Sequence, residues 1–224
     1  MKYDINLVKN KSHGNSPDLN PECYRDHPFT LNDLCVVCQR FLASGMAQNY
    51  ASLYFWEHYQ ASYEFEYIVE FGSQKGALST YFANMAAISE KFIFDTFEFN
   101  KASAWNNRSQ GGVGHWFEKL SLISPYINSY ELNVFSDEAF SHVKENVDQF
   151  RSLIFCDGGN KVAEFNMYAP LLKVGDRIVV HDWNLEIYYN QIEDSCVSYG
   201  LVPDSHWVEI NNELGTLLMP FVKV

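Results

Sequence analysis

Apolar residues fall along this chain in short, nearly solid runs separated by stretches with helical spacing. Residues 67–71, 92–94, 153–156 and 178–180 are runs of this kind, rich in aromatic and β-branched side chains, and residues 130–135, interrupted by Glu131 and Asn133, read as a further strand. Their length suits strands, and the absence of alternation suits strands buried on both faces. Residues 78–88 and 162–172 carry apolar positions at helical spacing, and Gly175 follows the second where a left-handed turn can close it. Strand and helix in alternation imply a mostly parallel sheet with helices on both faces, a doubly wound α/β fold. The end of the chain breaks the pattern. Residues 207–210 and 216–222 flank Asn211-Asn212-Glu213 and read as a hairpin, so an antiparallel C-terminal strand is expected.

Before the first strand the pattern is different. Residues 1–29 are polar and irregular, with Pro17, Pro21 and Pro28. Residues 30–63 have helical spacing, broken at Ser44-Gly45, and carry the aromatics Tyr50, Tyr54, Phe55, Trp56 and Tyr59. The expected division is therefore an N-terminal arm and helical extension over residues 1–65, on the substrate side, and a Rossmann-like core over residues 66–224. The aromatics are expected to pack their helix on the sheet, with some rings free to border a pocket.

Composition narrows the partners. The chain has 224 residues with 47% hydrophobic and 20% charged, the range of a globular domain rather than a disordered one. A formal charge of −12, with 16 scattered basic residues, disfavours a phosphate backbone, so no nucleic-acid partner is expected. The start, Met1-Lys2-Tyr3-Asp4, has no apolar signal core, and no apolar run reaches membrane length. Five cysteines, an odd number, fit a reducing compartment, so a cytoplasmic protein with a small-molecule substrate is expected. A homo-oligomer is compatible with the sequence. Cys35 and Cys38, with Cys23 and His27 upstream, form a weak zinc pattern. Asn32-Asp33 and the apolar run after it favour a capped helix carrying two buried thiols instead.

In such a sheet, ligands bind beyond the carboxyl ends of the strands. The first strand ends at Glu70, and Gly72-Ser73-Gln74-Lys75-Gly76 follows, a turn whose glycines admit a ligand close to backbone. It lacks the middle glycine of the dinucleotide fingerprint, which ranks a short oxidoreductase last. Asp95, placed at the end of the second strand, could accept both hydroxyls of a ribose, or could cap a local turn. The fourth strand runs into Asp157-Gly158-Gly159-Asn160 and the fifth into His181-Asp182. Neighbouring strands would bring the two acids to one rim with the histidine, oxygen-rich ligands that suit Mg²⁺ or Mn²⁺. The alternative is that these residues cap helices and bond loop backbone. The glycine-containing loop over residues 100–116 has the character of a lid, with His115 and Trp116 as substrate contacts or as ordinary surface and packing residues.

The segments Glu70-Phe71-Gly72-Ser73-Gln74-Lys75-Gly76, Phe94-Asp95-Thr96-Phe97-Glu98, Phe155-Cys156-Asp157-Gly158, Ala169-Pro170-Leu171-Leu172-Lys173-Val174-Gly175 and Ile178-Val179-Val180-His181-Asp182 resemble class I S-adenosylmethionine-dependent methyltransferases. More narrowly, they are similar to the macrocin O-methyltransferase and cephalosporin-hydroxylase-like group. The resemblance covers about residues 66–185 and leaves the N-terminal third out. It implies O-methylation of a small hydroxylated substrate, a sugar or glycosylated metabolite. It also implies a cofactor site formed by Glu70, Gly72, Ser73, Gly76, Asp95 and Asp157. Catalysis, with a divalent cation such as Mg²⁺, is implied at Asp157, His181 and Asp182. His181 stands where a carboxylate is common in the group, and Asn160 stands where many relatives have a histidine. Asparagine cannot take a proton at neutral pH, so a general base must lie elsewhere or the cation must do that work. A binding protein that keeps the cofactor fold without turnover is the alternative.

Overall fold

A computed structural model describes residues 51–74, 76–100, 121–122 and 124–224. The expected arm, the Cys35–Cys38 pair and the lid loop with His115 and Trp116 lie outside the described residues. Helix α1 (Ala51–Tyr63) leads into β1 (Tyr67–Phe71), α2 (Ala77–Ser89) and β2 (Ile93–Phe97). Then come β3 (Ile127–Tyr130), α3 (Asp137–Gln149), β4 (Ser152–Cys156), α4 (Lys161–Tyr168) with a short 3₁₀ turn (Ala169–Leu171), and β5 (Arg177–Val180). The chain closes with α5 (Tyr189–Tyr199), β6 (Leu201–Pro203), α6 (Ser205–Leu214) and β7 (Met219–Lys223).

The seven strands form one sheet in the order β3-β2-β1-β4-β5-β7-β6. The first five are parallel, and β7 runs antiparallel between β5 and β6. This is the Rossmann-like, mostly parallel sheet with an antiparallel C-terminal strand that the sequence predicts. Every residue of β1, β4 and β5 is buried. That burial explains the solid apolar runs, because helices cover both faces. On one face Ile68, Phe94, Leu153 and Phe155 pack with α1, α2 and Trp207. On the other, Val69, Phe97, Ile154 and Val180 pack with residues of α3, α4 and α5.

The aromatic stretch of α1 belongs to the first core. Phe55, Trp56 and Tyr59 are fully buried, and the Trp56 ring meets Phe155 edge-on at 4.7 Å. A polar clamp fixes the helix's end to α6. The Tyr63 hydroxyl accepts from Trp207 Nε1 at 3.0 Å and donates to Asp204 Oδ2 at 2.9 Å. The Arg177 guanidinium lies over the same ring, 3.3 Å from its centroid, an arrangement the ring quadrupole favours.

Three expected elements are corrected. Residues 207–210 are helix, not strand: Trp207, Asn211 and Leu214 are buried at helical spacing, and Gly215 ends the helix at φ 66°. Strand β3 ends at Tyr130 rather than beginning there, because residues 131–136 turn into α3. The Ser136 hydroxyl caps that helix, accepting from Ala139 N at 3.2 Å, with Asp137 and Glu138 in the first turn. Gly175 takes φ 93° but sits beyond the 3₁₀ turn, where its N–H donates to Lys223 O at 2.9 Å. No helix among the described residues is long and apolar enough to cross a membrane.

Tyr63→Phe keeps the ring under Arg177 and deletes the hydroxyl that links Trp207 to Asp204. It should cost about 1–2 kcal/mol in denaturant unfolding without changing the slope; an unchanged midpoint would show that the clamp contributes nothing.

Candidate functional site

The strand order reverses between β1 and β4, so the loops leaving these two strands part at the switch point. They nevertheless touch at their roots. Gly72 has φ 85°, and a Cβ there would lie 2.5 Å from Asp157 O and 2.6 Å from Gly158 Cα. Only glycine fits, and its N–H donates to Phe97 O at 2.9 Å. Gly76, also left-handed at φ 79°, starts α2 and closes the turn by donating its N–H to Ser73 O at 2.7 Å. The turn is thus built tight, with the start of α2 directly behind it.

Glu70, Ser73 and Asp95 occupy different settings. The Glu70 carboxyl lies buried beneath the turn, accepting from the Ser79 hydroxyl and from Thr96 Oγ1 at 2.9 Å. Burial pushes its pKa up to about 8, against the lowering effect of those two hydroxyls. Ser73 is buried in the turn. Asp95 is not at a strand end, because β2 continues to Phe97. It stands opposite Val69 in mid-sheet, on the face away from Glu70, and is 1% exposed. Tyr67 donates to its Oδ2 at 3.0 Å, Asn128 Nδ2 to its Oδ1 at 2.9 Å, and His142 Nε2 lies 2.7 Å from Oδ2. These partners make a strand-interior aspartate tolerable, and they leave it turned from the rim.

The acid at the end of β2 is Glu98, which spacing alone did not single out. It is half-buried, and its Oε2 accepts from Gln74 N at 2.9 Å and lies 3.4 Å from Ser73 Oγ. The carboxylate therefore lies against the glycine turn. Its position after Phe97 could be read from the sequence only once the strand's end was known.

At the other side of the switch point, Asp157 follows β4, and His181-Asp182 follow β5. Parallel pairing sets Cys156 beside Val180, and His181 N donates to Cys156 O at 3.1 Å. The three side chains converge, with one ligand atom from each within 4.8 Å of the others. His181 Nδ1 lies 2.9 Å from Asp157 Oδ1 and 3.3 Å from Asp182 Oδ2, and the ring is 1% exposed. Burial alone would lower its pKa, but bonds to the two carboxylates carry it up to about 9. The same histidine holds Asp182 down near 2. Asp182 takes φ 55°, an uncommon conformation for an aspartate, where it re-aims the chain after β5.

Three further groups complete this rim. Asn160 caps α4, its Oδ1 accepting from Ala163 N at 3.1 Å, so the side chain is committed to the helix. The next residue, Lys161, is buried, with Nζ 3.0 Å from Asp182 Oδ2, 2.6 Å from Glu186 Oε2 and 3.8 Å from Asp157 Oδ1. Glu164, also on α4, accepts from Gly158 N at 3.2 Å and steadies the loop from below. Burial lifts its pKa to about 7. By donor type and convergence Asp157, His181 and Asp182 fit a hard divalent cation, though Lys161 reaches the same oxygens.

Solved proteins of known structure share the architecture. The chain aligns over 100% of its length, and 97% of the other chain, with CmcI in a form described as Mg-SAM, at TM-score 0.59 and 14% identity. A CmcI form described as SAH covers 92% of this chain and 93% of that chain at TM-score 0.53 and 12% identity. A mutant of MtNAS covers 98% of this chain and 70% of that one at TM-score 0.51 and 9% identity. At these identities the likeness is one of fold, the fold that the class I methyltransferase resemblance implies. Neither a protein-family model nor a curated protein matches the chain.

The His181 pairing has a pH signature. A folded pKa of about 9 against an ordinary 6.5 means its stabilisation is complete below 6.5 and disappears as pH rises through 9. Relative to His181→Gln, the wild type should therefore be more stable by about 2–3 kcal/mol at acidic pH, a margin that shrinks under alkaline conditions. Urea midpoints of both proteins across that range test this. A margin that stays constant with pH would show that the ring is not ion-paired.

Proposed function

We propose that this chain is an S-adenosylmethionine-dependent methyltransferase that methylates a hydroxyl of a small molecule, of the sugar or glycosylated-metabolite class. The observation that carries the reading is the composition of one rim. The Gly72–Gly76 turn and the Glu98 carboxylate stand on one side of the switch point, and Asp157, His181 and Asp182 on the other. The first group suits a ribonucleoside and the second suits a polar group that must lose a proton. The fold shared with CmcI in its Mg-SAM and SAH forms supports the same cofactor here.

In this reading the cofactor's ribose hydroxyls bond Glu98, and its aminoacyl end lies along Gly72 and Ser73 toward Asp157. Glu70 shapes the turn from beneath, and Asp95 holds the sheet together rather than the ligand. A sulfonium methyl needs only an in-line nucleophile, so the protein supplies position and deprotonation. The rim is built for both. His181 aligns the Asp157 and Asp182 carboxylates toward one point, and a carboxylate there accepts a hydrogen bond from the substrate hydroxyl and can receive its proton. With its proton held by the two acids, His181 orients the pair rather than acting as the base. Asn160, spent on capping α4, takes no part in proton transfer. When bound at Asp157, His181 and Asp182 in place of that proton, a divalent cation would supply Lewis acidity that makes the hydroxyl easier to ionise.

A cofactor-binding protein without turnover is the second reading, favoured by the commitment of Asn160 to α4. Calorimetry and a methyl-transfer panel separate the two. We expect S-adenosylmethionine binding that weakens about tenfold or more in Glu98→Gln, as loss of charged hydrogen bonds requires, and that persists in Asp95→Asn. Transfer to at least one hydroxylated acceptor is expected. Binding with no transfer to any acceptor would support the second reading, and no binding at millimolar cofactor would refute both.

A further inference from the structure

Lys161 is a charged group at the rim that the proposed reaction does not use. It is the first residue of α4, and its side chain is 5% exposed. Its ammonium has three acceptors within reach: Asp182 Oδ2 at 3.0 Å, Glu186 Oε2 at 2.6 Å and the Gly158 carbonyl at 3.3 Å. Asp157 Oδ1 is 3.8 Å away. The carboxylates that a divalent ion would take are thus already faced by a positive charge built into the chain. The ammonium also has an alternative anchor, since Glu186 lies on the outer side of the rim and its carboxylate is 60% exposed.

We propose that Lys161 is the resident cation of this rim and sets its affinity for divalent metal. The inference rests on reading Asp157, His181 and Asp182 as a cation pocket, but not on the nature of the reaction. Two carboxylates this close repel unless a positive charge stands between them. In this chain the His181 ring bonds both acids, and the Lys161 ammonium beside it on Asp182 adds a charge that is permanent, as an ion drawn from solution is present only when available. A divalent ion can enter only by driving the ammonium off Asp182, leaving it on Glu186, which it already bonds, against the repulsion of a neighbouring charge that burial screens poorly. The wild-type pocket is therefore a weak metal site, and its carboxylates stay oriented without metal. A length-matched neutral side chain at position 161 would convert it into a stronger one.

The test is a titration of the full chain with Mn²⁺ alone, without cofactor or substrate, following free Mn²⁺ by electron paramagnetic resonance at neutral pH. Lys161→Met should bind Mn²⁺ at least tenfold more tightly than the wild type, and Lys161→Arg, which keeps the charge, should not. Adding Asp157→Asn to Lys161→Met should abolish the gain and so place the ion at this rim. Lys161→Gln carries the same expectation should the methionine variant fail to fold, as judged by circular dichroism. Equal Mn²⁺ affinity in the wild type and a folded neutral variant would overturn the proposal, as would a gain that survives Asp157→Asn. Because the readout is metal binding, it stands apart from the methyltransferase reading: tighter Mn²⁺ binding with no affinity for S-adenosylmethionine would sustain the inference and defeat that reading.

Discussion

The site depends on the contact between two loop roots at the switch point of the sheet. Gly72 passes so close to the Asp157–Gly158 backbone that no side chain can stand between them. That contact fixes the end of β1 against the end of β4, and a second restraint acts from below. The Glu164 carboxylate fills the space where a Gly158 Cβ would lie. The two glycines, each tight for its own reason, hold the turn and the first acid of the rim in one register. Glu98 reaches the turn from β2, and His181 and Asp182 reach Asp157 from β5. Four strands thus contribute to one edge, where an open α/β sheet places its ligands.

The acids along this edge are sorted by their surroundings. Glu70 and Glu164 are buried, and burial raises their pKa values to about 8 and about 7. They act as hydrogen-bonding supports under the two loops. Asp182 is pushed the other way, to about 2, because His181 and Lys161 bond it. Burial thus shifts the two supporting acids toward the protonated form, while His181 and Lys161 hold Asp182 ionised.

The fold was legible because buried parallel strands leave solid apolar runs that nothing else in a short chain explains. What escaped was decided by local chemistry with no periodic signal. Trp207-Val208-Glu209-Ile210 is short, mostly apolar and half β-branched, like a strand, and only the burial of Trp207, Asn211 and Leu214 at helical spacing makes it helix. Asp95 looked like a strand terminus because an aspartate is costly inside a sheet; Tyr67, Asn128 and His142, from three other elements, satisfy it. Under the proposed function the ribose role passes to Glu98, three residues on. The convergence of Asp157, His181 and Asp182 was readable, since strand ends in a parallel sheet align. Lys161 was not, because a lysine opening a helix is usually solvated and only the return of β5 brings acids to it.

The central claim is that one ligand bridges the switch point from Glu98 to Asp157. A crystal structure of the chain soaked with S-adenosylhomocysteine tests it most directly. The account predicts density with the ribose hydroxyls on Glu98, the aminoacyl end along the Gly72–Ser73 backbone, and the sulfur facing the Asp157–His181–Asp182 rim. Density that places the ribose on Asp95, or the ligand away from this edge of the sheet, would contradict it.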